Sequence, residues 1–157
     1  SSFTEFLVLF IMTLILVIIA LLFELPFNTK PMNLYDVIYD MLEHKYIPIL
    51  AHPERYSYIQ KDIKIAEELI DMGVLMQCNF ASMEGLYGRD AKKTVKKLLK
   101  NDMVHFLGSD VHKKESIYPK IPKILSKIKK IIGEDKLEEI TDTNPKMILE
   151  NEEITLA

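Results

Sequence analysis

The chain has 157 residues, 48% hydrophobic and 27% charged, with a formal net charge of −3. That length suits one ordinary domain with a real core. A slightly acidic chain with its 20 Lys and Arg spread over helix faces gives no reason to expect nucleic acid. Its single cysteine, Cys78, excludes an internal disulfide and fits a reducing compartment.

The amino terminus carries an apolar run from Phe6 to Phe23, broken only by Thr13, at the lower edge of membrane-spanning length. No basic cluster precedes it and no small-residue cleavage site follows, so it does not read as a secretory signal. Glu5 ahead and Lys30 behind favour a cytoplasmic carboxyl-terminal side. One expectation is a hydrophobic leader over residues 1–22, with membrane contact through 6–23 and anchoring at the inner face. The other is that its second half, roughly Val17 to Leu25, is a core strand. The chain opens on Ser rather than Met, which fits a fragment.

In chain order, Leu21–Leu25 reads as an apolar strand with Glu24 at its carboxyl end and Pro26 closing it. A carboxylate in such a setting asks for a partner. Asn33 is placed to cap a helix striped by Leu34, Val37, Ile38, Met41 and Leu42, with His44 near its end. Tyr46–Ala51 is a second strand, ending in His52-Pro53-Glu54-Arg55-Tyr56. A histidine at a strand mouth with a guanidinium fork three residues on suits a metal plus an anion. A helix over about Gln60–Met72 ends at Gly73, and a third strand, Val74–Asn79, follows. Gln77, Asn79 and Ser82 near its mouth are candidates to touch substrate or orient ligands; turn hydrogen bonds explain them about as well. Cys78 is expected to be a small buried strand residue.

A Lys-rich helix, Arg89–Lys100, leads to a fourth strand, Met103–Phe106, and then to Gly108-Ser109-Asp110-Val111-His112. Residues two apart in an extended segment share a side, so Asp110 and His112 aim at one point, as a divalent metal requires. His105, at the start of this strand, belongs to the opposite end and reads as structural. Helices over Pro119–Ile132 and Glu134–Ile140, and one capped by Asn144 with Pro145 in its first turn, complete the chain.

Strands alternating with helices predict a parallel α/β sheet or barrel, with all strand carboxyl ends on one rim. Glu24, His52, Asn79, Asp110 and His112 all fall on that rim. Carboxylates and imidazoles without thiolates suit Mn, Fe or Zn. With Arg55 beside them, metal-assisted phosphoester hydrolysis is the natural reaction.

The strings Phe23-Glu24-Leu25-Pro26-Phe27-Asn28, Ala51-His52-Pro53-Glu54-Arg55-Tyr56 and Gly108-Ser109-Asp110-Val111-His112 resemble the polymerase-and-histidinol-phosphatase (PHP) superfamily. More narrowly they are similar to its bacterial capsule-associated, manganese-dependent protein-tyrosine phosphatases, as is the Gln77–Gly88 loop. The likeness runs from about Leu21 to Leu149. It implies a distorted, TIM-like (β/α)7 barrel, represented here by its carboxyl-terminal portion over residues 23–157, and a cluster of two to three metal ions, Mn²⁺ by preference. By resemblance Glu24 bridges metals, His52 ligates one, and Asp110 and His112 form the last ligand pair. Arg55 holds the phosphate, and Arg55, His52 and Asp110 form the catalytic set. The implied substrate is phosphotyrosine on the tail of a bacterial tyrosine kinase that controls capsule or exopolysaccharide synthesis, with Cys78 idle. The family opens with a His-x-His strand, whereas this sequence has no His before His44, so the first third of the barrel is expected to be replaced by the hydrophobic run. An Arg expected shortly after Asp110–His112 is missing too. Lys113 or Lys114 would supply positive charge at the substrate, though no bidentate fork. Two further readings stay open: a catalytically incomplete, membrane-anchored binding module, and a small-molecule phosphoesterase of the same fold.

Overall fold

In the computed structural model, residues 3–5, 19–109 and 117–149 are described. Four parallel strands form the sheet: β1 (Ile19–Phe23), β2 (Tyr46–Ala51), β3 (Leu75–Asn79) and β4 (Phe106–Gly108). They are joined in sequential order, β1-β2-β3-β4. Sequential parallel strands with right-handed crossovers carry every connecting helix to the same face of the sheet. Those helices are α1 (Leu34–Glu43), α2 (Ser57–Lys61), α3 (Lys64–Met72) and α4 (Arg89–Lys100). After β4 come α5 (Ile121–Ile132), α6 (Glu134–Glu138), a π-helical turn over Glu139–Thr143 and α7 (Asn144–Leu149).

The register explains which side chains are covered. Phe23 pairs with Leu50 and Leu50 with Met76, and this row faces the helices. There it meets Leu34 and Ile38 of α1, Ala66 and Leu69 of α3, Val95 and Leu98 of α4, and Ile124 and Ile128 of α5 in one core. The alternate row, Leu22 with Ile49 and Ile49 with Leu75, points the other way because neighbouring strand residues alternate sides. On that side Leu22 is 56% exposed at the sheet edge.

The sheet begins inside the apolar run: residues 19–22, assigned to a leader, pair with β2 as part of β1. Of the residues expected to contact a membrane, 6–23, those from 19 on form β1 and residues 6–18 lie outside the described residues. Among the described residues, no helix is long and apolar enough to cross a membrane. The single helix expected over Gln60–Met72 is two, parted at Asp62, whose backbone is extended and whose carboxylate accepts the Lys64 N–H at 3.1 Å. The fourth strand lies later than Met103–Phe106, because pairing with β3 starts where Phe106 meets Gln77. Neither predicted asparagine cap forms. Asn33 makes no side-chain cap hydrogen bond, and Asn144 is itself helical, its amide donating to the buried His105 carbonyl at 2.9 Å. His44 closes α1 as expected of a carboxyl-terminal residue, its Nδ1 lying 2.7 Å from the Asp40 carbonyl.

Candidate active site

The carboxyl ends of the four strands open into a cleft of about 570 Å³, within the range of small-molecule sites. Its polar lining is Glu24, His52, Arg55, Gln77, Asn79 and Ser109; Leu22, Phe27 and Ala51 supply an apolar wall. Residues from four strand mouths, far apart in sequence, are thus delivered to one concavity.

His52 follows β2 directly. Its backbone turns into the left-handed region at φ +40°, a conformation that non-glycine residues rarely adopt and that clusters at functional sites. Its N–H donates to the Gln77 carbonyl at 2.7 Å, tying the turn to β3. That bend aims the imidazole back across the sheet, where Nε2 lies 3.0 Å from Glu24 Oε1. The ring is largely buried while the Glu24 side chain is 69% exposed. The buried Nδ1 of His52 has no hydrogen-bond partner. A carboxylate and an imidazole thus converge with bonding capacity left over, and both are ligand types for a divalent metal.

An aromatic stack holds this corner. The Phe27 ring lies 5.4 Å from the His52 ring and 5.6 Å from the Tyr56 ring, and Tyr56 stacks on Tyr58. Tyr56 is fully buried; its hydroxyl donates to the Ala51 carbonyl at 2.9 Å and accepts the Leu25 N–H at 3.1 Å, joining the ends of β1 and β2. Burial raises the Tyr56 phenol well above its usual range and pushes that of Tyr58 up to about 12. The Arg55 guanidinium sits 4.7 Å from the Phe27 ring centre and 3.9 Å from that of Tyr87. Two cation–π contacts fix the fork at the cleft wall without using its N–H donors, which stay available for an anion.

Behind the wall lies a residue that the sequence reading passed over. Glu54, in the 3-10 turn Pro53–Arg55, is completely buried. Its Oε1 accepts the Asn79 N–H at 2.9 Å and the Ser82 hydroxyl at 2.6 Å, and its backbone carbonyl accepts Gln60 Nε2 at 2.9 Å. Oε2 has no partner. Burial raises the Glu54 carboxyl, opposed by the hydrogen bonds from Ser82 and Asn79. The available signal was its place in the His-Pro-Glu-Arg-Tyr string, an acid locked between Pro53 and Arg55.

Of the predicted site residues, Glu24, His52, Arg55 and Asn79 come together at the cleft. Asn79 uses its side-chain oxygen to accept the Ala81 N–H at 2.9 Å, so turn geometry claims part of it. Ser82 is fully buried against Glu54, behind the cleft wall and away from its lining. Asp110, His112 and Lys113 lie outside the described residues. β4 nevertheless brings the chain to the cleft at Gly108 and Ser109, immediately before Asp110. A Cβ at Gly108 would lie 2.7 Å from Gln77 Nε2, so a larger residue there would push the flexible end of the Gln77 side chain aside. Cys78 is buried, and burial followed by the nearby Glu54 raises its thiol well above the usual range, which suits a packing residue rather than a nucleophile.

Among the described residues, no three His, Cys, Asp or Glu side chains converge as a metal site. Glu24 and His52 fit a metal as two of its ligands; the remainder of a shell would have to come from elsewhere, Asp110 and His112 being the expected pair.

A one-layered run of parallel β/α units, with acid, imidazole and guanidinium at the strand mouths, defines an α/β protein of the barrel type. The chain belongs to the capsular polysaccharide synthesis family CpsB/CapC, whose model matches residues 18–150. Among its relatives, tyrosine-protein phosphatase YwqE of Bacillus subtilis is 32% identical over 92 residues, 59% of this chain and 36% of that protein. Tyrosine-protein phosphatase CpsB of Streptococcus pneumoniae is 30% identical over 133 residues, 82% of this chain and 55% of that protein. The fold matches one chain from the crystal structures of YwqE and CpsB, described as unique metal-dependent tyrosine phosphatases. That match has a TM-score of 0.79 at 26% identity and covers 88% of this chain and 56% of the other. The chain thus spans between about a third and just over half the length of these relatives.

Proposed function

We propose that this chain carries part of the active site of a metal-dependent protein-tyrosine phosphatase that serves capsule or exopolysaccharide synthesis. The observation that carries the reading is the meeting of Glu24, His52 and Arg55 in one cleft, with the Nε2–Oε1 separation of 3.0 Å and a guanidinium held by two rings.

In this reading Arg55 binds the phosphoryl oxygens with a pre-aligned fork. Glu24 and His52, with Asp110 and His112, hold the metal, Mn²⁺ or alternatively Fe or Zn, in a cluster of two to three ions. A divalent metal supplies water activation at neutral pH and neutralises charge on the phosphoryl group. Asn79 orients the substrate side of the cleft, and Lys113 adds positive charge. Phe27 and Leu22 form the apolar wall of the cleft. The substrate is a phosphotyrosine protein, the tail of a bacterial tyrosine kinase, met on the cytoplasmic side.

The test is hydrolysis of a phosphotyrosine peptide with added Mn²⁺, comparing the unaltered chain with Glu24→Ala and His52→Ala. The expected result is a rate in the unaltered chain that both variants lower by about 100-fold or more, as loss of a ligand or a charge-stabilising group does. Equal residual rates in all three dismiss the reading.

A further inference from the structure

The helix layer divides by charge. α1 carries Asp36, Asp40 and Glu43 with no cation, and α3 carries Glu67, Glu68 and Asp71 against Lys64 alone. α4 reverses the sign, with Arg89 and five lysines against Asp90. The stretch Tyr118–Ile132, which ends in α5, has five lysines and no acid. α4 and α5 pack on each other, so eleven of the chain's 20 Lys and Arg gather on one half of the layer.

Core packing dictates where they point. Ala91, Val95 and Leu98 of α4 and Ile124 and Ile128 of α5 are buried, which leaves Lys93, Lys97 and Lys123 exposed. Among the described residues, Lys93, Lys97, Lys120 and Lys123 form no ion pair. Lys92 and Lys96, Lys93 and Lys97, and Lys123 and Lys127 are like charges one turn apart, a spacing that disfavours the helix. An anionic partner laid over the two helices relieves that repulsion.

The basic face begins at the cleft. Lys127 Nζ donates to Glu84 Oε1 at 2.9 Å. That hydrogen bond, then the charges of Lys127, Lys123 and Lys120, hold the Glu84 carboxyl below its usual range against the opposing effect of burial. Glu84 closes the 3-10 turn Phe80–Glu84, and three residues on, the Tyr87 ring lies 3.9 Å from the Arg55 guanidinium. α4 itself packs on the Pro53–Arg55 turn. From there its 12 residues run for about 18 Å, a length that an extended peptide crosses in about five or six residues. Lysines on flexible stems suit the mobile carboxylates of such a peptide, whereas a fixed, planar anion calls for a fork.

We infer that the α4–α5 face binds an Asp- or Glu-rich segment of the same phosphoprotein whose phosphate sits at Arg55. The inference rests on the phosphate-binding reading of Arg55 and adds a second contact, outside the cleft, that decides which phosphoproteins are held. Continuity with the loop of Tyr87 favours a protein segment leaving the cleft over a lipid surface.

The experiment measures binding, so that it is independent of turnover. Two labelled peptides centred on phosphonomethylphenylalanine, a non-hydrolysable stand-in for phosphotyrosine, are titrated by fluorescence anisotropy into the whole chain with Mn²⁺. One is flanked by glutamates and the other by glutamines; a third keeps the glutamates with phenylalanine at its centre. In about 50 mM salt the glutamate flanks are expected to tighten binding about tenfold, each exposed pair contributing a factor of about two. In about 0.5 M salt the advantage should fall below about twofold. Lys93→Glu with Lys97→Glu, and Lys120→Glu with Lys123→Glu, should each lower the advantage about fourfold. Lys45→Glu with Lys64→Glu, the same change of net charge on the acidic half, should leave it. Equal affinity for the glutamate and glutamine peptides overturns the basic face and leaves the phosphate reading intact. An advantage lost equally in all three double variants also overturns it, since net charge alone would then be at work. Pelleting with phosphatidylserine vesicles, abolished by Lys93→Glu with Lys97→Glu and accompanied by no glutamate advantage, overturns it in favour of a membrane. Equal binding of the phosphono and phenylalanine peptides instead overturns the reading of Arg55.

Discussion

Two histidines, one entering β4 and one leaving β2, show how the same residue type is used for opposite purposes. His105, before β4, is buried and satisfied: its Nδ1 accepts the Met76 N–H at 2.9 Å, its N–H donates to the Met76 carbonyl, and its carbonyl accepts the Asn144 amide. His52, after β2, occupies a strained backbone conformation, keeps a buried nitrogen without a partner and turns the other toward a carboxylate that is mostly in solvent. The first completes the fold. The second leaves bonding capacity unused at a cleft, a condition that folds tolerate where a ligand is to be bound. The same contrast separates Glu54, buried and holding two donors, from Glu24, exposed and, among the described residues, holding only His52. Glu54 holds two buried donors from within the wall, whereas Glu24 holds a single imidazole nitrogen from a mostly solvent-exposed position.

That distinction gives its largest effect at Glu54. Glu54→Ala leaves the Asn79 N–H and the Ser82 hydroxyl buried without an acceptor, at about 1–3 kcal/mol each. The expected loss is about 4 kcal/mol, read from urea midpoints, with Glu54→Gln losing about 1 kcal/mol because an amide oxygen still accepts both donors. Two variants that melt like the unaltered chain would remove Glu54 from the structural side of the comparison.

His105 gives the next effect, through pH. Burial first, then the neighbouring Lys136, depresses its imidazole to about 4, with Asp102 opposing; the unfolded value is near 6.5. A base whose folded value is depressed stays neutral in the fold while the unfolded chain takes up the proton. Its contribution is therefore fully present above about pH 6.5 and is lost as pH falls toward 4. The window corresponds to about 3 kcal/mol. Protonation would also convert the acceptor of the Met76 N–H into a second donor. Unfolding free energies across this range should slope in the unaltered chain and flatten in His105→Gln.

How far these roles were readable in the sequence differs by residue. The apolar run Tyr46–Ala51 is bounded by polar residues on both sides, so β2 falls where the pattern puts it. The Lys-rich helix Arg89–Lys100 likewise falls where its apolar stripe puts it. His105 reads as structural from its place at the start of an apolar strand; it is buried as expected, but the register sets it level with Met76 and Leu50, two residues short of His52, rather than at the far end of the sheet. β4 slipped because Met103 is still tied to the end of α4, its N–H donating to the Leu98 carbonyl at 2.9 Å, and residue pairing with β3 starts at Phe106 opposite Gln77. The break at Asp62 was legible as an Asp two residues ahead of a helix start, but the apolar stripe on either side masks it. Glu54 was not legible by pattern: a three-residue 3-10 turn has no periodicity, and an acid beside an arginine reads as a surface pair. Nor does pairing chemistry reveal that Ser82 faces Glu54 rather than the cleft, since a loop hydroxyl has no preferred direction in sequence.

The smallest expected effect on the fold, and the most informative about the site, is at Glu24. Its side chain is 69% exposed and its only described hydrogen bond is to His52. Loss of this one hydrogen bond from a mostly exposed acceptor costs about 1 kcal/mol. Glu24→Ala should therefore melt within about 2–4 °C of the unaltered chain when no metal is added. With Mn²⁺ present the two should part, because a ligand that binds only the folded state raises the melting temperature in proportion to its occupancy. The unaltered chain is expected to gain several degrees and Glu24→Ala almost none. If Glu24→Ala were instead strongly destabilised without metal, Glu24 would be anchoring β1 to β2 through His52. The 3.0 Å contact would then be a fold-forming pair like those around Glu54.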